Sequence, residues 1–412
     1  MAYAAVLGYG VVGSGVFGLL RQNAALIEKR MGEPIAVKRV LDLRSFPGDS
    51  VEPFLTHDAE DIINDAEIGV VAEAMGGLNP AYEYSMRALR AGKHVVTSNK
   101  ELVSVHGAEL MAAAAEYNVC YLFEASVGGA IPVIQPLKHM LLTESVSQVA
   151  GILNGTTNYI LTQMREHDAG FAETLKDAQD RGYAERDPSA DIDGFDACRK
   201  LAILLSVCLG KYVNYSKIPT EGIAGITSDD FAFAAVSGNT IKLIARADIK
   251  GSAVEASVAP MILSKDSRLG VVGDVYNAVS FTFDAKDNIL LGGRGAGKYP
   301  TAGAIVSDMA EALRRGCETP AWTRDEAALS APDEVISTRM IRYTFTEQQK
   351  SRATVHRVFG TEDLIWANAG ILGQAAFFTR PMKEREFACR INLLKSMPDI
   401  GVKSTLRLYA GR

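Results

Sequence analysis

Short apolar runs alternate with amphipathic stretches over roughly the first 130 residues of the chain. The apolar runs have the length of buried strands and fall at 3–7, 35–41, 68–75, 94–98 and 119–123. Helical periodicity follows the first run to about residue 29 and returns at 80–91 and 108–117. Strands and helices that alternate in this way form a doubly wound parallel sheet. The pattern therefore predicts an α/β, Rossmann-type domain with its ligand at the carboxyl ends of the strands.

The pattern changes at about residue 132, beyond which strands and helices no longer alternate regularly. Strands are predicted at 146–153, 256–263, 280–283 and 288–291, and helices at about 171–181 and 193–209. This order is typical of an α+β catalytic domain inserted into the first domain. A helix predicted at about 302–315 would return the chain to that domain. The predicted bounds are 1–131 plus 298–318 for the dinucleotide-binding domain and 132–297 for the insert, which would also carry dimer contacts.

The end of the chain predicts a third, smaller domain at 335–412. Its elements run strand, helix, strand, strand, helix, strand, at 339–345, 352–359, 363–367, 374–379, 384–394 and 403–409. That order is the ferredoxin-like split βαβ arrangement. The preceding stretch, 319–333, has two prolines, mixed charge and weak periodicity, and we expect it to be a linker.

Composition narrows the class of protein. The chain has 412 residues, 48% of them apolar, and a net charge of -6, which argues against nucleic acid as the main partner because that needs a basic surface. No apolar stretch is long enough to cross a bilayer and no signal peptide is evident, so we expect a cytoplasmic protein without a membrane partner. No cysteines have CxxC spacing, and we expect reduced thiols at Cys120, Cys198, Cys208, Cys317 and Cys389.

A glycine-rich loop follows the first predicted strand. Gly8, Gly10 and Gly13 have the GxGxxG spacing between a strand and a helix, which is typical of dinucleotide binding. The glycines allow a tight turn, a close approach of the pyrophosphate and close packing of the helix on the strand. Val11 and Val12 begin that helix, where free N–H groups would bind the phosphates.

The residues after the second predicted strand leave the choice of cofactor open. Asp42 ends that strand, where an acid would bind the ribose hydroxyls and favour NAD. Arg44 lies two residues further on and could instead bind the 2′-phosphate of NADP.

Charged residues at two further places point to catalysis. Lys100 follows the fourth predicted strand, at the ligand edge of the sheet. Asp191, Asp196 and Lys200 lie within ten residues, directly before the apolar run at 201–205. A helix would carry Asp196 and Lys200 one turn apart on one face. Burying charged side chains at the start of an apolar helix costs free energy, so their presence there points to a function. The alternative is an acidic helix cap with a surface ion pair.

Several of these motifs, in this order, resemble the homoserine dehydrogenase family. They lie at 92–100, 124–129, 154–158, 178–200 and 295–297, so the resemblance spans roughly residues 3–315. It implies NAD(P)-dependent interconversion of L-aspartate 4-semialdehyde and L-homoserine, in threonine and methionine biosynthesis. By the family's pattern Lys200 is the acid/base at the reacting oxygen, Asp196 lies beside the substrate, and Lys100 lies near the nicotinamide.

The same resemblance implies how the small-molecule substrate is held. The family's pattern places Glu185 and Asp191 on the substrate, and their carboxylates suit its ammonium group. Thr156 and nearby backbone N–H groups suit the substrate carboxylate. Gly297 would close over the cofactor.

A monovalent cation is also implied by the resemblance, sodium in the family, with potassium as the other candidate. Backbone carbonyls at Glu124, Val127, Gly129 and Ile131 would bind it. The alternative is that Glu124 only stabilises a glycine-rich turn.

Two departures from the family's pattern change the expectations. Leu41 occupies a position where many members carry an arginine, so we expect NAD to be accepted alongside NADP. The tail resembles an ACT regulatory domain, but the usual aspartate-x-proline-glycine turn is replaced at 347–351. Glycine at that turn lets an amino acid approach the backbone, so its replacement argues against threonine inhibition. We expect the tail to serve mainly in assembly, into the family's usual homodimer or homotetramer.

Two other functions are compatible with part of the sequence. A nucleotide-responsive regulator would use the glycine loop and the tail, but it leaves Asp191, Asp196 and Lys200 without a role. A hydride enzyme acting on another aldehyde or keto acid would use the same groups. An assay of turnover at the nicotinamide distinguishes the regulator from both enzymes.

Overall fold

A computed structural model describes residues 1–251, 253–284, 288–314, 317–360, 365–409 and 411. The chain divides into two compact units. Unit 1 comprises Met1–Val146, Arg199–Tyr215 and Leu291–Ala327, and unit 2 comprises Ser147–Cys198, Ser216–Leu290 and Ala328–Arg412. Within the described residues, no helix has the length and hydropathy that a bilayer crossing requires.

The strands have the following bounds. They are β1 Ala2–Leu7, β2 Ile35–Leu41, β3 Leu55–Thr56, β4 Ile68–Glu73, β5 His94–Thr97, β6 Tyr121–Leu122, β7 Val146–Ile152, β8 Lys211–Tyr212, β9 Asn239–Lys250, β10 Ala253–Ser264, β11 Tyr276–Phe283, β12 Ile289–Arg294, β13 Thr323–Glu326, β14 Ile336–Ser337, β15 Arg339–Phe345, β16 Ile365–Ala367, β17 Gln374–Phe378, β18 Met382–Lys383 and β19 Ile400–Leu408.

The α-helices have the following bounds. They are α1 Val11–Gln22, α2 Ala24–Met31, α3 Glu60–Ile63, α4 Ala81–Arg90, α5 Lys100–Glu116, α6 Ile134–Met140, α7 Gly155–His167, α8 Phe171–Asp180, α9 Ser189–Ile192, α10 Phe195–Leu209, α11 Ser228–Ala235, α12 Lys298–Ala312, α13 Gln348–Phe359 and α14 Glu384–Lys395. Short 3-10 helices occur at Glu52–Phe54, Glu124–Ser126, Tyr215–Lys217 and Pro332–Glu334.

Unit 1 contains a six-stranded parallel sheet in the order β3-β2-β1-β4-β5-β6, which confirms the predicted Rossmann-type topology. Its central strands are apolar runs buried on both faces, which is why they could be read from the sequence. Leu7, Glu73 and Thr97 end three neighbouring strands in register, so the carboxyl ends of these strands form a level edge. The helix after residue 297 packs against α1, where a Cβ on Gly15 would lie 2.9 Å from the Cβ of Ala302.

The second sheet has nine strands in the order β12-β11-β7-β9-β10-β19-β15-β17-β16. Its last four strands, with α13 and α14, have the ferredoxin-like order predicted for the end of the chain, and their neighbouring strands are antiparallel. This part continues into the rest of unit 2, because β19 pairs in parallel with β10 at Met261 and Ile262. The beginning of the strand predicted at 363–367 lies outside the described residues.

Two elements correct the sequence-based expectations. The stretch 319–333 is not a plain linker, because β13 within it pairs with β8 and Trp322 is buried against Gly107 and Phe123. Strand β9 was not predicted at all, although it pairs with β10 along its whole length. Lys242 and other charged residues interrupt its apolar pattern, so the run looks too polar for a central strand.

The cysteines also differ from expectation. Cys120 and Cys317 form a disulfide within unit 1, so the expectation of five reduced thiols is wrong for this pair. They are 197 residues apart in the sequence, so no local pattern reveals the pairing. Cys198, Cys208 and Cys389 are outside this disulfide, which agrees with the expectation for these three.

Candidate active site

The glycine loop has the geometry that dinucleotide binding requires. Gly8 has φ +93°, and a Cβ on it would lie 2.9 Å from the carbonyl oxygen of Ala74. A Cβ on Gly13 would lie 1.8 Å from the carbonyl oxygen of Gly8, so only glycine lets α1 pack on the turn. A Cβ on Gly10 would meet nothing within 4 Å, which leaves space over this residue for a ligand group.

The amino end of α1 is open to an anion. Gly10 is its N-cap, no side chain of the described residues caps it, and its first turn carries no acid. Val11 is 68% exposed, whereas Val12 packs against the core of unit 1. The first N–H groups of the helix are therefore available to a pyrophosphate, as the spacing predicts.

Asp42 and Arg44 form one compact group beside this loop. Arg44 donates from Nε to Asp42 Oδ1 (2.9 Å) and from Nη2 to Oδ2 (2.9 Å). The amide of Tyr9 also donates to Oδ2 (2.8 Å). The Arg44 side chain holds the pKa of Asp42 well below its usual value, so this carboxylate is charged. The Arg44 side chain is 62% exposed and is therefore accessible to a ligand.

Lys100 is the first residue of α5, directly after the carboxyl end of β5. Asn99 caps this helix, because its side chain accepts a hydrogen bond from the amide of Leu102 (3.1 Å). The start of α5 is thus fixed at the edge of the sheet that also carries the glycine loop. Lys100 is half-buried there.

Helix α10 carries Asp196 and Lys200 one turn apart, as predicted, although it begins at Phe195 rather than near Asp193. Lys200 is 7% exposed and Asp196 is 1% exposed. Arg199 and Glu101 form an ion pair of 3.6 Å within unit 1. Each member of that pair is the immediate neighbour of a predicted catalytic lysine. Within unit 1, the structure thus brings the beginning of α5 close to Arg199 on α10.

Asn154 joins the two carboxylates of the predicted substrate site within unit 2. Its side-chain amide donates to Asp191 Oδ1 (2.6 Å) and to Asp196 Oδ2 (2.8 Å). Its side-chain oxygen accepts from the amide of Thr157 (2.8 Å), so the same residue caps α7. Like-charged carboxylates repel each other, and this amide holds them at the amino end of a helix that favours negative charge.

The other two predicted substrate residues have different surroundings. The Thr156 hydroxyl donates to the carbonyl oxygen of Tyr183 (2.7 Å), so its proton is engaged within the protein. Thr156 is half-buried in the first turn of α7. Glu185 is exposed in the loop after α8, where its backbone carbonyl accepts from the side chain of Gln179 (3.2 Å).

Glu124 uses its side chain to anchor α6. Its carboxylate accepts from the amides of Val133 (2.5 Å), Ile134 (2.7 Å) and Gln135 (2.8 Å) at the amino end of this helix. Burial raises the pKa of Glu124, and these amides oppose the rise. The amide of Glu124 itself donates to Asp308 (2.9 Å), whose pKa is raised well above its usual value by burial.

The segment after Glu124 folds back tightly. Gly129 has φ +59°, and a Cβ on it would lie 2.4 Å from the carbonyl oxygen of Gly295. Val127 and Ile131 are buried. Because the Glu124 carboxylate is bound by three amides, a cation at this segment would be held through backbone carbonyls. Gly297 lies two residues after Gly295, is the N-cap of α12 and has φ +122°.

Comparisons with known proteins place the chain in a family. Residues 132–310 match the family model for homoserine dehydrogenase, and residues 8–124 match that for the NAD binding domain of homoserine dehydrogenase. The homoserine dehydrogenase of Bacillus subtilis is 33% identical over 98% of this chain and 97% of its own length. The chain belongs to the homoserine dehydrogenase family. It is therefore an NAD(P)-dependent oxidoreductase.

Comparisons with two further homoserine dehydrogenases support the same family. The Pseudomonas aeruginosa protein is 40% identical over 76% of this chain and 73% of its own length. The crystal structure of a homoserine dehydrogenase from Thiobacillus denitrificans is 32% identical, covers 99% of this chain and 98% of its own, and has a TM-score of 0.89. The glycine loop, Asp42 and Lys100 lie within the residues matched by the NAD binding model, and Asn154 and Lys200 lie within those matched by the other.

One residue of this site was absent from the sequence-based prediction. Asn154 lies in the loop 154–158, which the resemblance included, but no role was predicted for its side chain. Its partners are 37 and 42 residues away, so no local pattern reveals the contact. An asparagine directly before a helix is a capping signal, but that signal does not reveal Asp191 and Asp196 as further partners.

Proposed function

We propose that the chain interconverts L-aspartate 4-semialdehyde and L-homoserine, as a step of threonine and methionine biosynthesis. The observation that carries this proposal is the carboxylate pair of half-buried Asp191 and buried Asp196, bridged by Asn154 at the start of α7. A pair of carboxylates beside a helix N-terminus suits a small substrate that carries both an ammonium and a carboxylate. The bound dinucleotide supplies or accepts the hydride at the aldehyde carbon.

Lys200 is the acid/base in this proposal. Reduction of the aldehyde builds negative charge on its oxygen, and an ammonium within hydrogen-bond reach stabilises that charge and gives up a proton to form the alcohol. In the oxidation of homoserine the amine takes that proton back while hydride leaves the carbon. Asp196, one turn earlier, and Lys100 at the start of α5 would tune and orient these groups.

The ends of the substrate are bound by different groups. We assign its ammonium to Asp191, with Glu185 as the second carboxylate. The carboxylate of the substrate would lie at the amino end of α7, where the backbone N–H groups favour negative charge. Thr156 would contribute its N–H there, because its hydroxyl proton is engaged by Tyr183.

The cofactor would lie along the glycine loop, with Gly8, Gly10, Val11, Val12 and Gly13 around the pyrophosphate. Asp42 would bind the ribose of NAD, and Arg44 would bind the 2′-phosphate of NADP. Since Arg44 covers the Asp42 carboxylate and can turn away from it, both cofactors should be accepted. Gly297 would close over the cofactor from the start of α12.

A monovalent cation, sodium or potassium, would be held by the backbone carbonyls of Glu124, Val127, Gly129 and Ile131. The tight turn at Gly129 supports this assignment, as does the engagement of the Glu124 carboxylate by amides. The cation would stabilise the turn. Titration of activity with sodium and potassium chloride tests it, and an identical response to all monovalent salts would contradict it.

We propose the domain bounds 1–131 plus 298–318, 132–297 and 335–412, and a homodimer or homotetramer in the cytoplasm. The tail is assigned to assembly as an ACT-like domain. Millimolar L-threonine should therefore leave activity largely unchanged. Strong inhibition by threonine that disappears on deletion of 337–412 would contradict this assignment.

The acid/base assignment is tested with Lys200→Met. We expect turnover of L-homoserine to fall roughly 10²–10⁴-fold. Dinucleotide affinity should be retained, because the glycine loop is untouched. Lys93→Met is the matched control, since Lys93 is a buried lysine of unit 1 at the amino ends of β4 and β5. A Lys200→Met variant with near-normal kcat would remove this lysine from the mechanism.

A further inference from the structure

A buried carboxylate, Glu73, lies in the middle of the cofactor edge of the six-stranded sheet. It ends β4 and pairs in register with Leu7 of β1 on one side and with Thr97 of β5 on the other. Its exposed fraction is 0%. Leu7 leads directly into the glycine loop, and Thr97 is followed closely by Lys100. Glu73 thus lies between the two segments that the proposed reaction uses in unit 1.

Several donors converge on this carboxylate. The Thr97 hydroxyl donates to Oε2 (2.6 Å), and the amide of Met75 donates to Oε1 (2.8 Å). The amide of Gly76 and the side chain of Asn99 lie nearby and also favour its charged form. Burial raises the pKa of Glu73, and these four groups oppose the rise. A carboxylate can accept the hydrogen bonds from Thr97 and Met75 together, whereas a glutamine would turn an NH₂ group towards one of these two donors.

These hydrogen bonds continue to the start of α5. The amide of Asn99 donates to the Thr97 hydroxyl (2.9 Å), and the Asn99 side chain donates to the carbonyl oxygen of Gly77 (2.6 Å). The same side chain caps α5 by accepting from Leu102. Lys100 is the residue between the cap and the helix interior. Its backbone position is therefore set by a network whose centre is Glu73.

We propose that Glu73 is a positioning residue for Lys100. It fixes the turn 74–77 and, through Thr97 and Asn99, the start of α5. This inference rests on the proposed role of Lys100 near the reacting groups. Small displacements of a group at the reacting centre cost large factors in rate, so a residue that never touches substrate can control kcat.

The first test compares Glu73→Gln, Thr97→Val and Thr97→Ser in the full chain. Loss of the carboxylate or of the hydroxyl should lower kcat for L-homoserine by about tenfold or more. Thr97→Ser keeps the hydroxyl and should retain most of the wild-type rate. Lys93→Met, whose ammonium donates to the carbonyl oxygens of Asp65 and Ile68 at the other end of the sheet, should lower Tm without lowering kcat. Equal kcat in Thr97→Val and Thr97→Ser would overturn the inference even if Glu73→Gln fails to fold.

The second test is a double-mutant cycle with Lys100→Met. If Glu73 acts through Lys100, then Glu73→Gln should cause less than about a twofold further loss of kcat in the Lys100→Met background. Losses that multiply would overturn the positioning role and leave the role of Lys100 intact. A Lys100→Met variant with wild-type turnover would overturn both.

Discussion

At the scale of single residues, Lys242 has surroundings that are unusual for a lysine. It lies on β9 with 1% of its surface exposed, and its ammonium donates to the side-chain oxygens of Asn158 (2.9 Å) and Thr162 (3.3 Å). Burial lowers the pKa of Lys242 from 10.5 to about 7, Arg165 adds to the fall, and Glu166 opposes it. Between these two values the folded chain binds fewer protons than the unfolded chain, so stability should rise with pH.

The Lys242→Met variant tests whether this lysine makes stability rise with pH. Relative to the variant, the free energy of unfolding of the unmodified chain should rise above about pH 7 by up to about 1.4 kcal/mol per pH unit. The difference should be flat below about pH 6, where lysine is protonated in both states. Urea denaturation at several pH values measures it. Parallel pH profiles for the two proteins would contradict the buried, titrating amine.

We expect Arg44 to influence the choice between NAD and NADP. Arg44→Ala removes the countercharge of Asp42, and the exposed carboxylate should then repel the 2′-phosphate of NADP. The ratio of kcat/KM for NADP to that for NAD should fall by about tenfold or more. Arg21→Ala, which removes another cation of unit 1, serves as the control. An unchanged ratio in Arg44→Ala would show that the phosphate is recognised elsewhere.

At the scale of elements, substitutions in the turn between β1 and α1 should have separate effects on folding and on ligand binding. Gly13→Ala would force a Cβ to 1.8 Å from the Gly8 carbonyl oxygen and should destabilise unit 1. Gly10→Ala meets nothing within 4 Å and should keep its Tm while weakening dinucleotide binding. Gly18→Ala, also without a neighbour within 4 Å, is the control within α1. Thermal denaturation and dinucleotide titration of the three variants distinguish these outcomes, and normal cofactor affinity in Gly10→Ala would contradict the assigned path of the pyrophosphate.

The elements also show what the sequence could and could not predict. Strands β1, β4 and β5 were predicted because both of their faces are largely buried, so apolar residues follow one another. Strand β9 was missed because it contains Lys242, which is buried against neutral side chains of α7. No local sequence pattern reveals such partners. The same limit applies to the site: the spacing within α10 predicted Asp196 and Lys200 on one face, but not the bridge from Asn154 to two carboxylates.

At the scale of the whole molecule, one arginine fastens the end of the chain to the rest of unit 2. Arg342 on β15 is 5% exposed on its side chain and donates to Asp230 Oδ1 (2.7 Å), Asp229 (3.1 Å), Thr227 (2.9 Å) and Gln374 (2.7 Å). Asp230 is fully buried. Removal of one member of a buried ion pair leaves its partner charge uncompensated.

Arg342→Met should therefore lower the free energy of unfolding by about 3–5 kcal/mol. Arg352→Met, which removes an exposed arginine of α13, should change it by less than about 1 kcal/mol. Urea denaturation compares the two. A loss in Arg342→Met no larger than in the control would show that the ferredoxin-like part is held by other contacts.

Hydride transfer between homoserine and a nicotinamide cofactor can be followed with a deuterium label. The protein is incubated with NAD and L-homoserine deuterated at its hydroxyl-bearing carbon, and the reduced cofactor is examined by mass spectrometry. We expect one deuterium in each reduced cofactor molecule. Reduced cofactor without deuterium, or no reduction with either NAD or NADP, would contradict it.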